Sequence, residues 1–161
     1  MKKISIVLVL LLAATSFGYS QGLGLKSVKP KIGLIFPKSP WETGFNIGAG
    51  VDLGEVTSNL HLVPSLAYWH SSVNTFGLSN FQIAADVEYY LQNVKGLYFG
   101  GGFSVNFFSG DIDSVTRFGM GFLGGYKFPL ESVTLFGQAK YNVISDFNTF
   151  ELVIGAEFPL K

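Results

Sequence analysis

The feature that most constrains this chain is a period-two alternation of apolar and polar residues, repeated in eight stretches from Lys31 onward. Successive side chains of a strand point to opposite faces, so such a stretch makes a two-faced strand and cannot make a two-faced helix. The stretches run Lys31 to Phe36, Thr43 to Leu53, Leu60 to His70 and Asn80 to Leu91, then Gly96 to Phe108, Thr116 to Phe128, Val133 to Val143 and Thr149 to Leu160. Ile32, Leu34 and Phe36 share the apolar face of the first, and Phe118, Met120, Phe122, Tyr126 and Phe128 that of the sixth. Most are about 9 to 12 residues long, the length of a tilted strand that crosses a bilayer. Turn-forming clusters separate them, which predicts an all-β, antiparallel, up-and-down meander of eight strands. Even number and regular order allow it to close into a barrel with no exposed edge.

The first twenty residues follow a different rule. Lys2 and Lys3 precede a mostly apolar run from Ile4 to Phe17, and Gly18-Tyr19-Ser20 places small residues where a signal peptidase reads them. That pattern predicts a signal peptide over 1–20 and a mature barrel domain over 21–161. The run is too short to span a membrane as a helix, for which about 20 residues are needed. The stretch Gln21 to Val28 is expected to be a tail, and the remaining length is expected to hold no peptidoglycan-binding domain. With no cysteine in 161 residues, a disulfide framework and a thiolate site are both excluded. A formal net charge of zero without a basic stripe argues against nucleic-acid binding.

Alternation does not say which face of a barrel points outward, but composition does. A soluble, lipocalin-like barrel keeps its apolar residues inside and its charges outside. Here charged residues make up only 14% of the chain, against about 25% in ordinary soluble domains. The polar faces carry small residues instead, such as Asn46, Gly48 and Gly50, or Gly100, Gly102, Ser104 and Asn106. Small side chains suit the interior of a narrow eight-stranded cylinder. The few charges on those faces balance: Lys31, Arg117, Lys127 and Lys140 oppose Asp52, Asp86, Glu88, Glu151 and Glu157. Buried charges persist only when paired, so these nine residues are expected to form a lumen network. Aromatic residues gather near the strand ends, with Tyr68, Trp69 and Phe107 toward one rim and Tyr89, Phe99, Tyr126, Phe128 and Phe158 toward the other. Headgroup interfaces favour such belts, although parity turns Trp69 inward. The gaps Pro37–Glu42, Ser71–Ser79 and Ser109–Val115 are longer than those after strands two, four and six, which predicts longer outer loops.

On these grounds the mature chain resembles the small eight-stranded outer-membrane β-barrel proteins of Gram-negative bacteria, the OmpA/OmpX-like group. Its closing segment Gly155-Ala156-Glu157-Phe158-Pro159-Leu160 has the spacing of the amphipathic last strand by which that group is assembled, but ends in Leu160-Lys161 rather than an aromatic. The resemblance implies a monomer in outer-membrane lipid and lipopolysaccharide, handled by periplasmic chaperones and the barrel-assembly machinery. It names no activity.

Chemical motifs add little. Gly119-Met120-Gly121-Phe122-Leu123-Gly124 fits a dinucleotide fingerprint in spelling, but no helix follows it, and close packing in a narrow barrel explains the glycines. His61 and His70 fall on opposite faces of one strand and cannot share a metal ion. Asp111 and Asp113 could hold a loosely bound cation, though a solvated loop accounts for both. His70, Ser71 or Ser72 and Asp111 could in principle form a nucleophilic site, but no nucleophile elbow supports one. The expectation is a barrel that is not an enzyme and holds no cofactor or metal, its lumen plugged by polar side chains, with a structural or surface-interaction role. A narrow porin-like solute channel and an exported lipocalin-like carrier are the alternatives.

Overall fold

A computed structural model describes residues 23–110, 114–145 and 147–160. They form eight antiparallel strands: β1 (Leu23–Pro37), β2 (Gly44–Thr57), β3 (Leu60–Val73), β4 (Phe76–Tyr90), β5 (Leu97–Gly110), β6 (Ser114–Pro129), β7 (Thr134–Ile144) and β8 (Thr149–Pro159). Each pairs with its sequence neighbour, and β8 returns to β1 to close the barrel. An even number of strands puts both chain ends at one rim, called here the terminal rim, opposite a distal rim.

The alternation sets the faces as composition predicts. Ile32, Leu34, Phe45, Ile47, Phe103, Phe118, Phe122, Leu152 and Ile154 all point outward, with Phe118 75% and Phe122 63% exposed. Asn46, Asn80, Asn106 and Asn142 point inward and are wholly buried. The apolar belt is therefore external, and the inverted, lipocalin-like arrangement is ruled out by the fold itself. Outward aromatic pairs stand at both ends of the belt: Tyr89–Phe99 and Tyr126–Phe128 near the terminal rim, with centroids 5.4 and 4.7 Å apart. Phe81–Phe107 and Phe36–Phe150 lie near the distal rim, at 6.3 and 6.1 Å.

Two expectations about the backbone are corrected. From Leu23 to Val28 the segment read as a tail belongs to β1: Leu23 pairs with Gly54, Ser27 with Asp52 and Val28 with Val51. Pro30 lies within this strand. A proline lacks only its own ladder donor, and the β1–β8 register resumes across it, from Val28↔Phe158 to Lys31↔Gly155. The distal loops are also shorter than the gaps suggested. Ser71, Ser72, Gly77 and Ser79 read as turn formers, yet Ser71 pairs with Leu78 and Ser72 with Gly77. The hairpin turns only at Asn74-Thr75, where Asn74 takes the left-handed conformation that asparagine tolerates. Above the apolar belt, strand pairing still satisfies the backbone, so polar side chains there need not signal a loop.

The glycines of the fingerprint-like segment lie mid-strand in β6. A Cβ on Gly121 would stand 2.4 Å from Lys140 Cε, and one on Gly119 2.8 Å from Ile144 Cγ1. Gly102 is as crowded by Asp86, whose carboxylate it lets into the lumen. Small residues inside this barrel make room for the large ones opposite.

Candidate functional site in the barrel lumen

From the distal rim downward, the lumen is filled in layers. The uppermost is apolar: Ile35 of β1, Trp69 of β3, Phe108 of β5 and Ile144 of β7 form one buried cluster, joined by Leu78 and by Phe147 from the last connection. Trp69 is 1% exposed. Phe147 stacks on its ring at 6.1 Å and Phe108 meets it edge-on at 5.8 Å. Each of these strand residues continues its strand's inward parity at the distal end, so they converge into a lid.

Beneath the lid lies an amide layer. Asn142 and Asn46 donate to the two oxygens of Glu151 at 2.6 and 3.1 Å. Asn80 and Gln82 both donate to Asn106 Oδ1 at 3.0 Å, and Asn106 donates to Ser104. These side chains give a buried carboxylate the hydrogen bonds that water would otherwise supply.

The charged layer follows. Lys140 reaches across from β7 to both oxygens of Asp86 on β4, at 2.7 and 2.8 Å. Lys29 of β1 does the same to Glu88, at 2.7 and 2.8 Å, and Glu88 also accepts from the Tyr90 hydroxyl. The Lys29 ammonium stands 5.2 Å from the Phe136 ring centroid and 5.5 Å from that of Tyr98. Lys31, equally buried, lies in the field of Glu151 and Asp86 but closes an ion pair with neither. Three buried lysines thus stand among the buried carboxylates Asp86, Glu88 and Glu151. The void left among Lys31, Ser65, Asp86, Glu88 and Gln138 measures about 10 Å³, room for one water.

Toward the terminal rim the barrel opens into a vestibule of about 900 Å³. On one wall the His61 ring nitrogen Nδ1 meets both oxygens of Asp52, at 2.9 and 3.0 Å, and the backbone N–H of Gly54 donates to Asp52 at 2.7 Å. On another, Lys127 pairs with Glu157, which also accepts from Ser27 at 2.7 Å. Tyr90 stands between them, its ring 4.5 Å from Lys127 Nζ and 4.8 Å from the His61 ring.

Of the nine residues singled out from sequence, eight line this interior: Lys31, Asp52, Asp86, Glu88, Lys127, Lys140, Glu151 and Glu157. Arg117 does not join them. It has inward parity, but it sits two residues beyond Gly119, which pairs with Ile144 of the lid, and is exposed. Parity gives a face, not a depth. Lys29, Tyr90 and Tyr98 were missed, the first because the strand was started at Lys31, eight residues after its true start at Leu23. Extending the alternation Lys31, Gly33, Ile35 backward would have found it.

The other candidates stay apart. Outward-facing His70 shares a hydrogen bond of 3.0 Å with Ser79 Oγ, whereas Ser71 faces inward and donates to the Glu42 carbonyl. Asp111 and Asp113 lie outside the described residues, as does the segment read as a signal peptide. Among the described residues no group of three metal-ligating side chains converges.

The chain matches no protein-family model and no curated protein sequence. It does match solved structures. Over 87% of this chain and all of the other it is similar to Neisserial surface protein A, with a TM-score of 0.68 and 17% identity. Over 88% of this chain and all of the other it is similar to Ail, the attachment invasion locus protein of Yersinia pestis, at 0.50 and 13%. The nanodisc structure of that protein gives 0.54 and 12%, over 84% of this chain and 99% of the other. With its closed ring of eight strands, apolar outside and polar within, the chain has the fold of the small eight-stranded outer-membrane β-barrels.

Proposed function

We propose that this protein is an integral outer-membrane barrel with a plugged lumen, a structural or surface-interaction role and no enzymatic activity. The observation that carries the reading is the layered interior. A conducting pore needs a continuous wet path, and here the apolar lid, the amide layer and two bidentate ion pairs occupy the axis, with a void of about 10 Å³ in the charged layer. A porin-like channel has no comparable support. Insertion from the periplasmic side carries the hairpins across and leaves both termini behind, so the terminal rim faces the periplasm and the distal hairpins face outward. Lipid and lipopolysaccharide are then its standing partners, and periplasmic chaperones and the barrel-assembly machinery its partners during biogenesis. It works as a monomer.

The absence of native cysteine makes the placement directly testable. Thr75→Cys, in the β3–β4 hairpin, should react with a water-soluble maleimide on intact cells. Phe122→Cys, in the apolar belt, should react only after the membrane is dissolved. Labelling of Phe122→Cys in intact cells, or protection of Thr75→Cys until the envelope is opened, would overturn the reading.

A further inference from the structure

The vestibule at the terminal rim is not used by the plug. Its floor is made by charges already satisfied: Asp52 by His61 and the Gly54 N–H, Glu157 by Lys127 and Ser27. Its rim is different. Lys26 and Lys95 line it, both exposed, and neither forms an ion pair among the described residues. Glu55, 54% exposed, has only His61 Nε2 nearby, at 3.7 Å. Unspent positive charge and unspent negative charge therefore border one cavity. Tyr90, Pro129 and Pro159 line the same cavity, flat surfaces of the kind that pack against the backbone and small side chains of a peptide. At about 900 Å³ the space lies in the range of small-ligand sites, roughly 300 to 1,000 Å³.

A ligand that suits this wall must bring both an anion and a cation, on a short, partly apolar frame. We propose that the vestibule binds short peptides with free termini, the carboxylate held by Lys95 and the ammonium by Glu55. Such a ligand closes both sets of open charges, which a simple anion or a neutral sugar does not. The lid closes the far end of the lumen, so the peptide enters and leaves by the terminal rim. The proposal asks of the function above only that the chain folds as this barrel; sidedness in the membrane is a separate matter.

The test is an NMR titration of the mature chain folded in an uncharged polyoxyethylene detergent, with trialanine as the probe. Saturable shifts are expected at the Gly54 and Gly96 amides, which border the vestibule, and none at Trp69 under the lid. N-acetylation or C-terminal amidation of the probe should each weaken binding about tenfold, the equivalent of about 1.4 kcal/mol. Lys95→Gln should reproduce the effect of amidation and Glu55→Gln that of acetylation. Both sit at the rim, and heat-dependent gel migration confirms that each variant is folded. No saturation at about 20 mM trialanine, equal binding of the doubly blocked peptide, or shifts centred on the lid would overturn the proposal.

Discussion

At the scale of single residues, Lys140 is the most informative. Its ammonium is buried and holds both oxygens of Asp86. Removing one partner of such a pair leaves the other charge stranded, at about 3–5 kcal/mol, while removing both can be nearly neutral. Lys140→Met should therefore lower the stability of the folded barrel by that amount, and adding Asp86→Asn should restore most of it. Urea unfolding in lipid vesicles, followed by tryptophan fluorescence, reads both. Equal stability of the single variant and the parent would mean that the pair is solvated. Gly121 makes the same point by bulk, since its missing Cβ is what leaves Lys140 Cε its place. Gly121→Val should cost about 1–3 kcal/mol through overpacking, and should cost much less once Lys140 is shortened to Ala. Legibility at this scale follows parity as far as the strand boundaries are right. Parity alone assigns Asp86, Glu88, Lys140 and Glu151 to the lumen, whether they sit mid-strand or near an end. Arg117 shares that parity but lies two residues past Gly119, which pairs with Ile144 of the lid, and Lys29, in the middle of β1, is lost to a strand boundary that sequence gives poorly.

At the scale of elements, the two faces of each strand obey opposite chemistry. Phe122 and Leu123 are adjacent in β6, one 63% and the other 6% exposed. If the belt meets acyl chains, Phe122→Lys should cost about 2–4 kcal/mol in a bilayer, the penalty for a cation near the midplane. Thr75→Lys, in the distal hairpin, should cost little. The same unfolding assay compares them, and equal effects would deny that the belt is in lipid. All eight strands were legible because their periodicity is long and their polar faces are poor in charge. Hairpin ends were not: Ser71, Ser72 and Ser79 carry turn chemistry, but ladder pairing between β3 and β4 overrides it. The vestibule was equally hidden. It is assembled from turn and strand-end residues of several hairpins, Lys95, Pro129 and Glu55 among them, and no local pattern announces that these will meet.

At the scale of the whole molecule, the layers give the barrel a direction. It is dry and apolar beneath the distal hairpins, amide-lined and then ionic through the middle, and open at the terminal rim. Composition foretold the inversion of inside and outside, since a chain with so few charges can satisfy them internally. The lid required the fold itself, because Ile35, Trp69, Phe108 and Ile144 come from four different strands and are joined only by closure of the ring. An interior of this kind should not pass ions. The most direct test is single-channel recording in a planar bilayer with a preparation whose folding is established by its gel shift on heating. The account predicts no discrete conductance steps across the usual voltage range. Reproducible steps of a single size, abolished or resized by Lys140→Met or Lys29→Met, would show a wet path through the charged layer and contradict it.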